Sequence, residues 1–217
     1  MKQIAVLGLG RFGESLAMAL MAMGNQVLGI DIDEDKVSAV EEELTHVAIA
    51  DMTDANSLRS LGLSNLDVAV VCTGDIQTSI MATVLLKDLG VQKVVSKAKN
   101  VLHEKILCKV GADQVVFPER DMGVRLAHGI ADTNVIEFIE LSSVYSLAEV
   151  FILPEWKGKT LMDADIRVNY GLNVVAIRRQ GDIIVSPRAS EVMQEGDVMV
   201  VIGKNADISN LDRHRKK

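Results

Sequence analysis

Aromatic residues make up only 3% of this 217-residue sequence, and its two cysteines, Cys72 and Cys108, form no CxxC pair. The first scarcity argues against the stacking platforms with which proteins hold single-stranded nucleic acid. The second excludes a disulfide framework or a zinc knuckle as the organising principle. Positive charge is short as well. Thirty acidic residues against 23 basic ones give a net charge of −7, which disfavours sequence-independent binding to nucleic-acid phosphates. No nucleic-acid partner is expected. Long apolar runs are also missing: Leu16 to Met23, the most apolar stretch, falls far short of the roughly 20 residues that cross a bilayer. Met1-Lys2-Gln3 leads straight into Ile4-Ala5-Val6-Leu7 without the features of a signal peptide. A soluble intracellular chain is expected, one that acts at a membrane only through a partner.

The 48% hydrophobic content suffices for one large or two small domains with real cores. Short β-branched runs recur at Ile4–Leu7, Val27–Ile30, Val47–Ala50, Val68–Val71, Lys93–Ser96 and Gln114–Phe117. Unbroken apolar runs of this length fit strands buried on both faces of a parallel sheet. Helical patterns lie between them. Val37, Val40 and Leu44 follow the N-cap candidate Asp33, Ile76–Leu89 stops at Gly90, and Val101–Val110 stops at Gly111. The alternation predicts a Rossmann-like, doubly wound α/β sheet. After Pro118 the rhythm changes. One more helix is expected over Asp121–Ala131, followed by strands at Val135–Leu141, Leu147–Ile152, Val174–Ile177, Ile183–Val185 and Val198–Ile202. Arg179-Gln180-Gly181-Asp182 reads as a hairpin turn, and Thr160–Tyr170 as a helix capped by Gly171. The expected organisation is a domain over 1–120, a connecting helix over 121–133 and a small α+β domain over 134–217. Asp212 to Lys217 reads as a solvated basic tail.

Gly8-Leu9-Gly10-Arg11-Phe12-Gly13 is a GxGxxG motif set between a buried strand and a helix from Glu14 to Met23. Gly8 would make the tight turn, Gly10 would let the backbone approach a pyrophosphate, and Gly13 would let helix and strand pack closely. The helix N-terminus then offers free N–H groups to the anion. Asp31 ends the second strand 18 residues after Gly13, where a carboxylate accepts from ribose hydroxyls and repels a 2′-phosphate. Asp51 ends the third strand and either accepts from an adenine amino group or caps a helix beginning near Thr53. Thr73 and Gly74 end the fourth strand beside the phosphates. Lys97, after the fifth, either joins them or is an exposed surface lysine. Arg11 inside the glycine loop can reach a terminal phosphate of its own or a neighbouring subunit. Glu119 follows the last strand at the same edge. Near phosphates a carboxylate needs a cation in between, so Glu119 is either a metal-bridging ligand, for Mg2+ or another cation, or a surface residue entering the next helix.

Hydride transfer needs a proton donor or acceptor beside the nicotinamide. His46 falls at the wrong edge of the sheet, His103 and His128 lie within helices, His214 is in the tail, and no Tyr-xxx-Lys pair exists. A nucleotide pocket without such equipment reads as a sensor, not an enzyme. An NAD-dependent oxidoreductase and a stand-alone nucleotide sensor remain the alternatives.

The glycine motif, Asp31-Ile32-Asp33, Phe117-Pro118-Glu119-Arg120-Asp121-Met122-Gly123 and the Gly196-Asp197 turn resemble the RCK (regulator of potassium conductance) family. The whole chain, an RCK-N followed by an RCK-C domain, is similar to the KtrA/TrkA-type cytosolic regulatory subunits of bacterial potassium uptake. The resemblance implies an octameric ring of dimers under a membrane potassium-translocating subunit of the KtrB/TrkH kind, at the inner face of the membrane. It implies ATP or ADP, and also NAD(H), in the first domain, with Asp31 on ribose, Arg11 on the γ-phosphate across a dimer interface and Glu119 on a cation. In the second domain it implies cyclic di-AMP, with Arg167 pairing with phosphate and Ile166 and Pro187 touching adenine. Asp121–Ala131 would be a crossover helix exchanged between protomers; its Met122, Leu126 and Ile130 make an apolar stripe that fits this.

Overall fold

The structure is a computed structural model that describes residues 1–131 and 135–214. The chain divides into two compact units, Met1–Glu119 and Arg120–Lys217. In the first, the strands are β1 (Gln3–Leu7), β2 (Gln26–Asp31), β3 (His46–Ile49), β4 (Val68–Val71), β5 (Lys93–Lys97) and β6 (Gln114–Val116). They form one parallel sheet in the order β3-β2-β1-β4-β5-β6. Ile4, Val6 and Val70 pack into one buried cluster, and Ala5, Leu7, Ala69 and Val71 into another. Successive side chains leave opposite faces of a strand. With helices over both faces, neither face can be polar, which is why these strands read as unbroken apolar runs.

The helices of this unit are α1 (Arg11–Ala22), α2 (Glu34–Ser38), α3 (Ala55–Ser60), α4 (Ile76–Asp88) and α5 (Val101–Lys109). Asp33 caps α2 as expected, accepting from the Asp35 N–H, but the helix ends at Ser38 and turns carry the chain through Leu44. Val37, Val40 and Leu44 are nevertheless all buried in one cluster, so the apolar spacing reported burial correctly while overstating the helix. The helix after β3 begins at Ala55 and is capped by Asp54, not Asp51.

Helix α6 (Pro118–Ala131) starts three residues before the expected Asp121, with proline in its first turn. A proline there lacks only an N–H that would have no partner within the helix. Glu119 is therefore helical. The end of the expected connecting helix, 132–133, and Asn134 lie outside the described residues.

The second unit is an antiparallel sheet of β7 (Val135–Glu140), β8 (Tyr145–Phe151), β9 (Asn173–Arg179), β10 (Asp182–Val185) and β11 (Val198–Lys204), in the order β10-β9-β11-β8-β7. Gln180 and Gly181 both take positive φ (51° and 97°) between the paired Arg179 and Asp182, the conformation that closes a two-residue hairpin. The expected single helix over 160–170 is two, α7 (Leu161–Ala164) and α8 (Ile166–Tyr170), broken where Asp165 turns left-handed at φ 43°. Helix α9 (Asn205–His214) takes up the first half of the expected tail. Arg215 to Lys217 lie outside the described residues. Asp197 is buried and accepts two hydrogen bonds from the Arg179 guanidinium, at 2.9 and 2.8 Å, and one from the Gln194 N–H. Burial pushes the Asp197 carboxyl up, but Arg179 and the Gln194 N–H outweigh it and hold it below the usual range.

Candidate functional site

The strand order reverses between β1 and β4, and ligands of open α/β sheets bind outside the carboxyl ends of strands at such a switch point. A cleft of about 420 Å³ opens there, lined by Gly8, Gly10, Asp31, Ile32, Lys36, Asp51, Thr73 and Gly74 among others. The glycine motif builds its floor. Gly8 has φ 99°, and a Cβ on it would meet Thr73 N at 3.0 Å. A Cβ on Gly13 would fall 1.9 Å from the Gly8 carbonyl oxygen, so only glycine lets α1 pack this close to the turn. A Cβ on Gly10 would meet nothing within 4 Å and would project into open space.

Four of the first five helices have a side-chain cap: Asp33, Asp54, Asp75 and Asn100 cap α2 to α5. Helix α1 begins at Gly10 with none. Its first N–H groups and the positive end of its dipole are therefore left to an anion.

Asp31, 6% exposed, has two backbone partners: Oδ2 accepts from the Leu9 N–H at 2.7 Å and Oδ1 from the Asp33 N–H at 3.0 Å. The carboxylate thus ties the end of β2 to the middle of the glycine turn. Lys36 Nζ lies 3.6 Å from it and 3.1 Å from Asp33. Lys36 was missed in the sequence; its place one turn along α2 from Asp33 was the available signal. Asp51 lines the cleft but caps no helix, its Oδ1 accepting from the N–H and hydroxyl of Thr53 at 2.8 and 2.7 Å.

Thr73 and Gly74 also line a second cavity of about 290 Å³, with Lys97, Ala98, Lys99 and Glu119. The side chain of Lys97 is 14% exposed, so it is no surface lysine. Its ammonium lies 2.5 Å from Glu119 Oε1 and 5.7 Å from the centre of the Phe12 ring. The Lys97 hydrogen bond is the main reason the Glu119 carboxyl is held below its usual range, and the Arg11 charge adds to it. Among the described residues no three His, Cys, Asp or Glu side chains cluster to hold a metal. One carboxylate fits a divalent ion only if nucleotide phosphates and water complete its shell, a common arrangement for Mg2+.

In α5, His103 is 2% exposed. Its Nδ1 accepts from the Lys99 N–H at 3.2 Å, so its Nε2 carries the proton and donates to Ser79 Oγ at 2.8 Å. Sequence spacing gave no hint of that partner. Cys72 follows β4 and is buried, its thiol pushed up to about 12 mainly by desolvation.

In the second unit Arg167 is exposed and Pro187 half-buried. Ile166, expected to touch adenine, is 3% exposed in the single chain and packs in the core. It follows directly on Asp165, the left-handed residue between α7 and α8.

The sheet order, the glycine turn and the acid ending β2 define a Rossmann-like domain, here followed by a small antiparallel α+β domain. The TrkA-N domain family matches residues 4–118 and the TrkA-C domain family residues 147–214. Over 213 residues the chain is 47% identical to Ktr system potassium uptake protein C of Bacillus subtilis (strain 168), covering 98% of this chain and 96% of that protein. The GsuK RCK domain shares the fold with a TM-score of 0.70 at 20% identity, over 100% of this chain and 48% of that chain. GsuK bound to ADP matches at 26% identity and TM-score 0.52, over 59% of this chain and 34% of that one. The chain belongs to the TrkA family of potassium-uptake proteins, in its Ktr branch.

Proposed function

We propose that this chain is a cytosolic regulatory subunit of a bacterial potassium-uptake system, setting ion flux through a membrane potassium-translocating subunit according to the adenine nucleotide it holds. Family membership supports the transport half of this reading. One observation carries the ligand half: α1 starts without a side-chain cap at the edge of a cleft that also holds Asp31. A pyrophosphate takes the α1 N–H groups and ribose hydroxyls take the remaining lone pairs of Asp31. The ADP-bound GsuK structure supports ADP as one such ligand. ATP extends the same pose by one phosphate towards Arg11 and Lys97, and NAD(H) shares the pyrophosphate. If Mg2+ accompanies the phosphates, Glu119 is the carboxylate that holds it.

The chain is read as a nucleotide domain, a crossover helix carried by α6 and a second domain, which assemble into an octameric ring of dimers. Exposed Met122, Leu126 and Ile130 on α6 support an apolar contact with another copy. Ile166, Arg167 and Pro187 are the candidates for cyclic di-AMP, of which Arg167 and Pro187 have exposed surface in the single chain. No helix among the described residues is long and apolar enough to cross a membrane, so ion passage falls to the partner.

The test is potassium flux into vesicles carrying the membrane subunit with this chain bound. Flux that differs between ATP and ADP supports the reading. Flux indifferent to nucleotide, or unchanged when the chain is left out, overturns it.

A further inference from the structure

Lys97 closes β5 with a nearly buried side chain and two observed neighbours for its charge, the Glu119 carboxylate and the face of Phe12. An ammonium carries three donors, and Glu119 takes one of them. The others belong to an atom that lines the cavity shared with Thr73 and Gly74, the ridge that also bounds the nucleotide cleft. Phe12 lies in the glycine motif and in the first turn of α1, so its ring places Lys97 beside the N-terminus of that helix. Glu119 is held less tightly: its side chain is 71% exposed and sits in the first turn of α6.

A single exposed carboxylate is a weak holder of a lysine, and a terminal phosphate of higher charge is a stronger one. We infer that Lys97 reads the terminal phosphate of the nucleotide by exchanging Glu119 for it, with Glu119 acting as an internal competitor that sets how much phosphate charge is required. This rests on the nucleotide reading above and adds the residue that discriminates within it. A nucleotide whose phosphates end at the α1 N-terminus leaves the Lys97–Glu119 pair intact. One with a further phosphate breaks the pair and frees the carboxylate. Glu119 therefore opposes triphosphate binding when no divalent ion is present, and that opposition acts through its hold on Lys97.

Calorimetric titration of ATP and ADP into the full chain in EDTA tests this, with Lys97→Met, Glu119→Gln and the double variant. Lys97→Met should weaken ATP about tenfold and ADP by less than about threefold. Glu119→Gln should tighten ATP about threefold or more, and that gain should vanish in the Lys97→Met background. A gain of equal size in both backgrounds means that Glu119 acts only through its field, and overturns the exchange. Weaker ATP binding by Glu119→Gln in EDTA overturns it as well. Because Glu119 is exposed, its variant folds, and its sign decides the matter even if Lys97→Met does not fold. Failure of the wild-type chain to bind either nucleotide overturns the site itself, an outcome distinct from the other two.

Discussion

The Leu9 backbone N–H donates to Asp31 Oδ2 at 2.7 Å, so the acid expected to hold a ribose also holds the glycine turn that would hold the phosphates. Removing it acts twice. Asp31→Ala strands a buried N–H and should lower stability by about 1–3 kcal/mol, read as a drop in melting temperature. Asp31→Asn keeps an acceptor for Leu9, so it should melt closer to wild type yet bind ADP about tenfold more weakly. Equal melting losses in both variants would show that the Leu9 bond does not support the turn.

Gly10 and Gly13 separate binding from folding. The Gly13→Ala methyl collides with a backbone oxygen at 1.9 Å and should cost about 3 kcal/mol or more. The Gly10→Ala methyl meets no protein atom, so stability should stay within about 0.5 kcal/mol while ADP binding falls at least about tenfold. Thermal melts paired with binding titrations check both.

His103 makes stability depend on pH. Burial lowers its pKa below the ordinary 6.5, outweighing the Asp75 charge that raises it. Below 6.5 the unfolded chain binds more protons than the folded one, so this contribution is complete above that pH and is lost as pH falls through the lower folded value. Wild-type melting temperature should fall between pH 7 and pH 5 more steeply than that of His103→Gln, which loses the ring but keeps hydrogen-bonding capacity. Parallel curves would show that His103 titrates alike in both states.

In the second unit the Arg179–Asp197 pair locks a hairpin end to the turn before β11. Arg179→Met leaves a buried carboxylate without its counter-charge and should destabilise that unit by about 3 kcal/mol. Asp197 is held below its usual range chiefly by Arg179, so the pair's contribution should persist through neutral pH and fade only below about pH 4. Urea unfolding at pH 7 and pH 3 measures both effects.

The first unit was largely legible because both faces of its sheet are buried. Apolar runs such as Val68–Val71 mark the strands directly, and the functional residues cluster at their carboxyl ends. Pairings between distant elements left no such trace. Lys97 and Glu119 were each singled out, but nothing in their spacing shows that they hold each other, or that Phe12 offers its ring to the lysine. The break at Asp165 was also hidden, because an aspartate in the left-handed region is a local exception that helical periodicity does not record.

The most direct test is equilibrium dialysis of radiolabelled ADP against the full chain and its Gly10→Ala variant, at matched folded fraction. Saturable retention by the wild type, lost or strongly weakened in the variant, is the expected result. Retention by neither chain at millimolar ADP, or equal retention by both, would contradict the assignment of the glycine turn as the phosphate cradle.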